Sequence, residues 1–328
     1  MKLKFLNLTG LLVLFFTLPG SLALAQAQAY PDKDRVIHVI CGFPTGSGAD
    51  ILVRYYADRL AAVSGQKAIV ENKPGMLSGL AAKAVAGARP DGYTIFITAA
   101  SSSHAANLYL FKQLPYDPIK DFTPVATLAK VFFVLTVDSK SPHTTVKGLT
   151  DAMEKLGDKA NYAYASPTAL AATELYKVRT GIQALGIPFK TALETLSAMQ
   201  DRQIDFQFVD SVLALQQIRA GRLRGLAVTS AERSGTLPEL PTMIEAGIPE
   251  FDVSPWWAVF LPANAPQQVV EKLESWFNRI TAAEDSKSFL ANMGADPFPG
   301  DAKFMAAHLA REIRKWGELI KLAKIQPQ

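Results

Sequence analysis

The sequence predicts an α/β protein with largely parallel sheets, arranged as two domains. Strand-length apolar runs alternate with longer segments of helical period almost throughout the chain. A chain of about 300 residues after removal of a leader is long enough to bury two cores. The order of elements adds a third indication, because two similar strand-rich rounds are followed by one more strand and a run of helices. Such an order suggests that the chain leaves a first domain and later returns to it, with two connections, near Lys130 and near Val253.

The first strand is predicted at Val36 to Phe43, followed by a helix from Asp50 to Val63 that Asp50 is placed to cap. Strands at Lys67 to Glu71, Tyr93 to Ala99 and Pro124 to Ala129 continue the series, separated by helical segments Leu77 to Ala88 and Ala105 to Phe111. The second round comprises strands Phe132 to Val137, Asn161 to Ala165, Ala184 to Ile187, Ile204 to Val209 and Arg224 to Thr229. An irregular Pro-rich stretch, Glu232 to Pro249, carries one short helix around Met243. Trp256 to Leu261 is a final strand, and helices follow at Pro266 to Ala282, Ser286 to Met293 and Ala302 to Ala323. In the last of these, Leu309, Ile313, Trp316, Ile320 and Ala323 form one apolar stripe for docking on a sheet.

The N-terminus has the three-part pattern of a secretory signal peptide, with Lys2 and Lys4, an apolar run from Leu11 to Leu18, and small residues at Ala23 and Ala25. Residues 1–25 are expected to be removed and the mature chain to begin near Gln26. A retained anchor is the alternative, but the apolar core is shorter than the roughly 20 residues that cross a bilayer. No Cys follows the small residues to accept a lipid, so a soluble mature protein is expected. Cys41 is the only cysteine, which excludes an internal disulfide.

Without residues 1–25 the formal charge falls from +4 to +2, too weak an excess to argue for nucleic acid. The histidines, His38, His104, His143 and His308, show no metal-ligand spacing, and no catalytic triad or paired-acid motif presents itself. No cofactor is expected.

The stretch Gly42-Phe43-Pro44-Thr45-Gly46-Ser47-Gly48-Ala49-Asp50 joins the first strand to the first helix. Its glycines permit a tight turn with open N–H groups at a helix start, a place suited to an anion, and Thr45 and Ser47 add neutral donors. A plain strand-to-helix turn without a ligand is the other reading. Neither nucleotide motif fits, since Gly48 is followed by Ala49-Asp50. Hydroxyl-rich strand ends also occur at Ser101-Ser102-Ser103 and Ser166-Pro167-Thr168, where open α/β sheets bind ligands and where helix capping is the competing role. Trp256 and Trp257 are adjacent in a strand and so face opposite ways, which would bring one of them to a cleft. Phe43 and Phe189 would add apolar walls for an anion with an apolar or aromatic body; packing in the domain cores is the alternative.

Several phrases together resemble one family. They are Tyr30-Pro31, the Gly42 to Asp50 turn, Val70-Glu71-Asn72-Lys73-Pro74-Gly75, Pro90-Asp91-Gly92-Tyr93-Thr94, Leu114-Pro115-Tyr116-Asp117-Pro118 with Lys120-Asp121-Phe122, and Leu240-Pro241-Thr242 with Glu245-Ala246-Gly247. The order is that of the solute receptors of tripartite tricarboxylate transporters, the Bug receptors. The resemblance implies a periplasmic-binding-protein-like Venus flytrap, with domain I at 30–130 and 253–328 and domain II at 131–252. It implies a small carboxylate held by Phe43, Thr45, Gly46, Ser47 and Ser101 from domain I and by Ser166, Thr168 and Asp210 from domain II. It also implies a monomer that hands its ligand to the integral membrane subunits of such a transporter and performs no catalysis. A periplasmic sensor for a membrane kinase would share the same fold, and a secreted α/β hydrolase is the more distant alternative. Two departures fall in domain II: Ser166-Pro167-Thr168 lacks the family's glycine-containing turn, and Phe189-Lys190-Thr191 stands where the family tends to have Tyr-Lys-Gly.

Overall fold

A computed structural model describes residues 30–327, so the signal-peptide reading of residues 1–25 lies outside the described residues. The first round gives β1 (Ile37–Cys41), α1 (Gly48–Ser64), β2 (Ala68–Asn72), α2 (Gly79–Ala86) and β3 (Thr94–Ala99). A π-helical segment, Ser101–Ala106, then runs into α3 (Asn107–Leu110), and β4 (Phe122–Val131) closes this part. The second round gives β5 (Phe133–Asp138), α4 (Val146–Leu156), β6 (Asn161–Tyr164), α5 (Pro167–Thr180), β7 (Leu185–Pro188), α6 (Ala192–Gln200), β8 (Phe206–Asp210), α7 (Ser211–Arg219) and β9 (Leu223–Val228). The chain ends with β10 (Trp256–Pro262), α8 (Gln267–Ala282), α9 (Glu284–Asn292), β11 (Ala295–Gly300) and α10 (Ala302–Leu322).

These strands form two sheets, one ordered β11-β4-β10-β3-β1-β2 and the other β7-β6-β8-β5-β9. The expectation of largely parallel sheets needs correction, because both are mixed. β1 is parallel to β2 and β3, and β6 to β7 and β8, but β10 is antiparallel to β3 and β4, as β5 is to β8 and β9. The reason is the crossing itself. A parallel neighbour needs a long crossover connection, usually a helix, and neither β5 nor β10 is reached from its own sheet through one.

The crossings lie side by side. Only Phe132 separates β4 from β5, and the returning chain reaches β10 through Val253 and Pro255. The Val131 N–H donates to Pro255 O at 2.8 Å, while the Thr229 hydroxyl accepts from Phe133 N–H at 2.8 Å and donates to Val253 O at 2.7 Å. Each crossing is thus hydrogen-bonded to the other, which ties the two sheets along one line.

Helices α1 and α8 cover one face of the first sheet, where Val39, Leu60, Val259 and Phe277 are fully buried. The opposite face continues into the second sheet through α10, whose Leu309, Trp316 and Ile320 are buried as the apolar stripe predicts, with Ile313 packed at its edge and Leu319, outside that stripe, buried as well. Three local expectations were different. Ser47, not Asp50, caps α1. No helix surrounds Met243, where turns follow an isolated bridge from Thr242 to Val228. Strand β11 was not foreseen; its Pro297 and Pro299 cannot donate to a ladder, and the strand accordingly lies at the sheet edge.

Candidate functional site

A cavity of about 300 Å³ opens between the two sheets. From the first-sheet side it is walled by Phe43, Ala99 and Trp257, and from the second by Phe133, Tyr164 and Phe208. Its polar groups come from Ser102, Ser166, Thr168, Thr195, Gln207 and Asp210. Among the described residues no Lys, Arg or His lines it.

Phe43 is held by the turn that follows β1. Gly46 at φ +80° lies in the left-handed region that the tight reversal requires. Asp50, 1% exposed, is the anchor beneath the turn. Its Oδ2 accepts from the Gly46 N–H at 2.8 Å and from Arg54 Nε at 2.9 Å, and its Oδ1 accepts from Asn72 Nδ2 at 2.7 Å. Asn72 Nδ2 also donates to Phe43 O at 2.9 Å, tying the turn to β2. Burial alone would raise the Asp50 carboxyl pKa, but hydrogen bonds from Arg54, Asn72 and Gly46 outweigh it and hold the pKa below its ordinary value. The Gly46 N–H is therefore already used, and the Ser47 hydroxyl donates to Pro44 O at 2.7 Å while accepting from Asp50 N–H at 3.2 Å.

On the other side, Ser166 follows β6 by two residues and caps α5, accepting from Ala169 N–H at 3.2 Å. That leaves its hydroxyl proton free to donate. Pro167 occupies the first turn of α5, where a missing N–H removes no helical bond, so the departure from the family's glycine turn is compatible with an intact helix start. Asp210 caps α7 and accepts from Leu213 N–H at 3.0 Å. Burial raises its carboxyl pKa above the usual value, with the N–H groups of Leu213, Val212 and Asp210 itself acting the other way. Two helix starts with positive dipole ends thus converge on one apolar-walled space.

Of the residues singled out in the sequence, Phe43, Ser166, Thr168 and Asp210 meet at the cavity. Thr45, Gly46 and Ser47 do not line it: Thr45 and Gly46 are exposed on the turn and Ser47 is partly buried beside them. Ser101 is fully buried with its hydroxyl accepting from Trp256 N–H at 3.3 Å, and Ser102 lines the cavity in its place. Trp257 is the tryptophan that reaches the cleft, while Trp256 is 0% exposed. Phe189 is not a wall; it packs beside Leu196 and Met199 under α6. Thr195, Gln207, Phe133, Phe208 and Tyr164 were not anticipated. A glutamine within the apolar run Phe206-Gln207-Phe208-Val209 was the available signal for one of them.

The histidines take no part in this cavity. His104 is fully buried, stacked on Phe260 at 3.7 Å, and burial lowers its pKa to about 3. Among the described residues no group of three or more His, Cys, Asp or Glu could hold a metal ion. No described helix is long and apolar enough to cross a membrane.

Two α/β sheets joined by paired crossings, with a hydroxyl-bearing cleft between them, define a solute-binding protein of the periplasmic two-domain class. The chain belongs to the tripartite tricarboxylate transporter receptor family, whose profile, described as "Tripartite tricarboxylate transporter family receptor", matches residues 52–325. It is 29% identical to Protein BugT of Bordetella pertussis over 321 residues, covering 96% of this chain and 98% of BugT. The solved structure of R. palustris Rpa4515 with adipate matches with a TM-score of 0.77 at 30% identity, covering 91% of this chain and 100% of that one. MatC from Rhodopseudomonas palustris with bound malate matches with a TM-score of 0.71 at 29% identity, covering 88% and 99%.

Proposed function

We propose that this protein is a periplasmic receptor that closes around one small carboxylate and delivers it to the membrane subunits of a tripartite tricarboxylate transporter. The observation that carries the reading is the cavity between the sheets, where Ser166, Thr168 and the α5 start offer neutral donors. Hydroxyl and N–H donors bind an anion without the cost of burying a second charge. The adipate and malate held by the two R. palustris structures support the ligand class. The protein acts as a monomer, binds without turnover, and returns its ligand unchanged.

In this reading the body made of 30–130 with 253–328 and the body 131–252 move about the paired crossings, since a ligand touching both favours the closed state. The turn at Thr45, Gly46 and Ser47, outside the cavity in this conformation, comes down on the carboxylate as the cleft shuts. Phe43, Trp257, Phe133 and Phe208 favour a carboxylate with an apolar or aromatic body over a highly hydroxylated polyacid such as citrate.

A thermal-shift series over mono-, di- and tricarboxylates tests this. A true ligand at one hundred times its dissociation constant stabilises the folded state by about 2.7 kcal/mol. Saturable stabilisation by an aromatic or aliphatic carboxylate, with the compound recovered intact after denaturation, supports the reading. Conversion of the ligand into a product contradicts it.

A further inference from the structure

We propose that Gln207 reads the inner end of the ligand, so that the preferred carboxylate carries a neutral hydrogen-bond acceptor, such as a ketone or amide carbonyl, at the far end of its apolar body. The inference rests on the carboxylate reading of the cavity and specifies it further.

Gln207 lies on β8, the central strand of its sheet, between Ala163 of β6 and Thr136 of β5. It lines the cavity and is 1% exposed, yet its Nε2 has no hydrogen-bond partner. An unsatisfied buried amide is destabilising, and the adjoining positions on the strand are Phe206 and Phe208. The neighbouring hydroxyls are engaged elsewhere: Thr136 donates to the backbone carbonyl of Gln207 at 3.3 Å and Thr195 donates to Ala192 O at 2.7 Å. A glutamine with a purely structural role would be expected to have a protein partner, whereas a ligand group arriving in the cavity can supply one.

Position fixes which end of the ligand is concerned. Gln207 is three residues back along β8 from Asp210, and its partner Ala163 is three residues back from Ser166. At strand spacing this is about 10 Å inward from the carboxylate donors. One aromatic ring with a para substituent bridges that span with a hydrogen bond at each end. The group at the inner end is neutral because no cation among the described residues lines the cavity, and a second carboxylate there would be desolvated against one amide donor.

Calorimetry with 4-acetylbenzoate, its 4-isopropenyl counterpart, in which CH₂ replaces the ketone oxygen, and terephthalate tests the assignment. The wild-type protein should bind the ketone about tenfold or more tighter than the alkene, with terephthalate also weaker than the ketone. In Gln207→Leu and Gln207→Met the ketone preference should fall to about one while the alkene keeps its affinity. The unliganded melting temperature of both variants should rise, since each removes an unpaired buried amide. A wild-type ratio near one, an unchanged ratio in both variants, or terephthalate binding tighter than the ketone overturns the role of Gln207 and leaves the carboxylate reading standing. Failure of all three acids, together with benzoate and adipate, to bind the wild-type protein overturns that reading as well.

Discussion

The ring of Phe43, carried on the turn after β1, meets the ring of Trp257 on β10, with centroids 5.4 Å apart and planes inclined by 41°. The contact joins the turn to the strand that the chain enters on returning from the second sheet, and both rings face the cavity. Replacing Phe43 with Ala removes one wall and the partner of Trp257. Benzene carboxylates should lose about 1–2 kcal/mol of binding, roughly tenfold, while succinate and citrate change little. Calorimetry on the three acids checks this, and an equal loss for all three would show that Phe43 does not discriminate among ligand bodies.

Asp50 makes a second, independent prediction. Its carboxylate gathers Gly46, Arg54 and Asn72, and its pKa is lowered, so its stabilising effect is present above the ordinary carboxylate range and is lost as pH falls through the lowered value. Asp50→Asn should destabilise the protein by about 1–3 kcal/mol at neutral pH, through weaker hydrogen bonds and the lost ion pair with Arg54. The difference between variant and wild type should vanish in acid. Melting temperatures measured from pH 7 to pH 3 test the trend, and a constant difference would contradict it.

Asp210 behaves in the opposite sense. Its pKa is raised, so the stability linked to its protonation is present below the ordinary carboxylate value and is lost as pH rises through the raised one. A bound carboxylate nearby raises it further. Affinity for benzoate should therefore strengthen as pH falls through the raised value. Asp210→Asn keeps a good cap for α7 and removes the charge, so it should bind benzoate roughly tenfold tighter at pH 7 and with a flatter pH profile. Parallel pH profiles for the two proteins would show that Asp210 does not face the ligand.

Ser166 has two roles that can be separated. Ser166→Ala loses the cap on α5, costing about 1 kcal/mol of stability, and also loses a donor to the ligand. Ser166→Asp restores the cap but places a negative charge at the cleft. Its melting temperature should recover while carboxylate binding falls further. Recovery of both would mean that Ser166 only caps the helix.

Much of this architecture was legible in the chain because periodicity reports burial directly. The stripe of Leu309, Trp316 and Ile320 and the alternation of strands with helices need no knowledge of the partner surface. Strand direction was less legible: a connection near Lys130 could be read, but the antiparallel entry of β5 and β10 is set by pairing with strands far away in the chain. The Gly-rich turn was visible, but which of its donors remain open was not. That depends on Asp50 and Asn72, whose meeting with Gly46 is a matter of packing between α1 and β2. Ser101 and Ser102 illustrate the same limit: the π-helical segment decides which of two adjacent hydroxyls faces the cleft. Phe189 and Phe43 are both aromatic residues near hydroxyl-bearing turns, yet only the fold separates the one packed under α6 from the one that walls the cavity.

The most direct test of a carboxylate held between the two halves is a crystal structure of the protein with the acid that stabilises it most. The account predicts one ligand in the cleft, touching Phe43 and Trp257 from one side and Ser166 and Thr168 from the other, with Thr45 and Ser47 drawn toward its carboxylate. A ligand bound outside this cleft, or in contact with only one of the two halves, would contradict it.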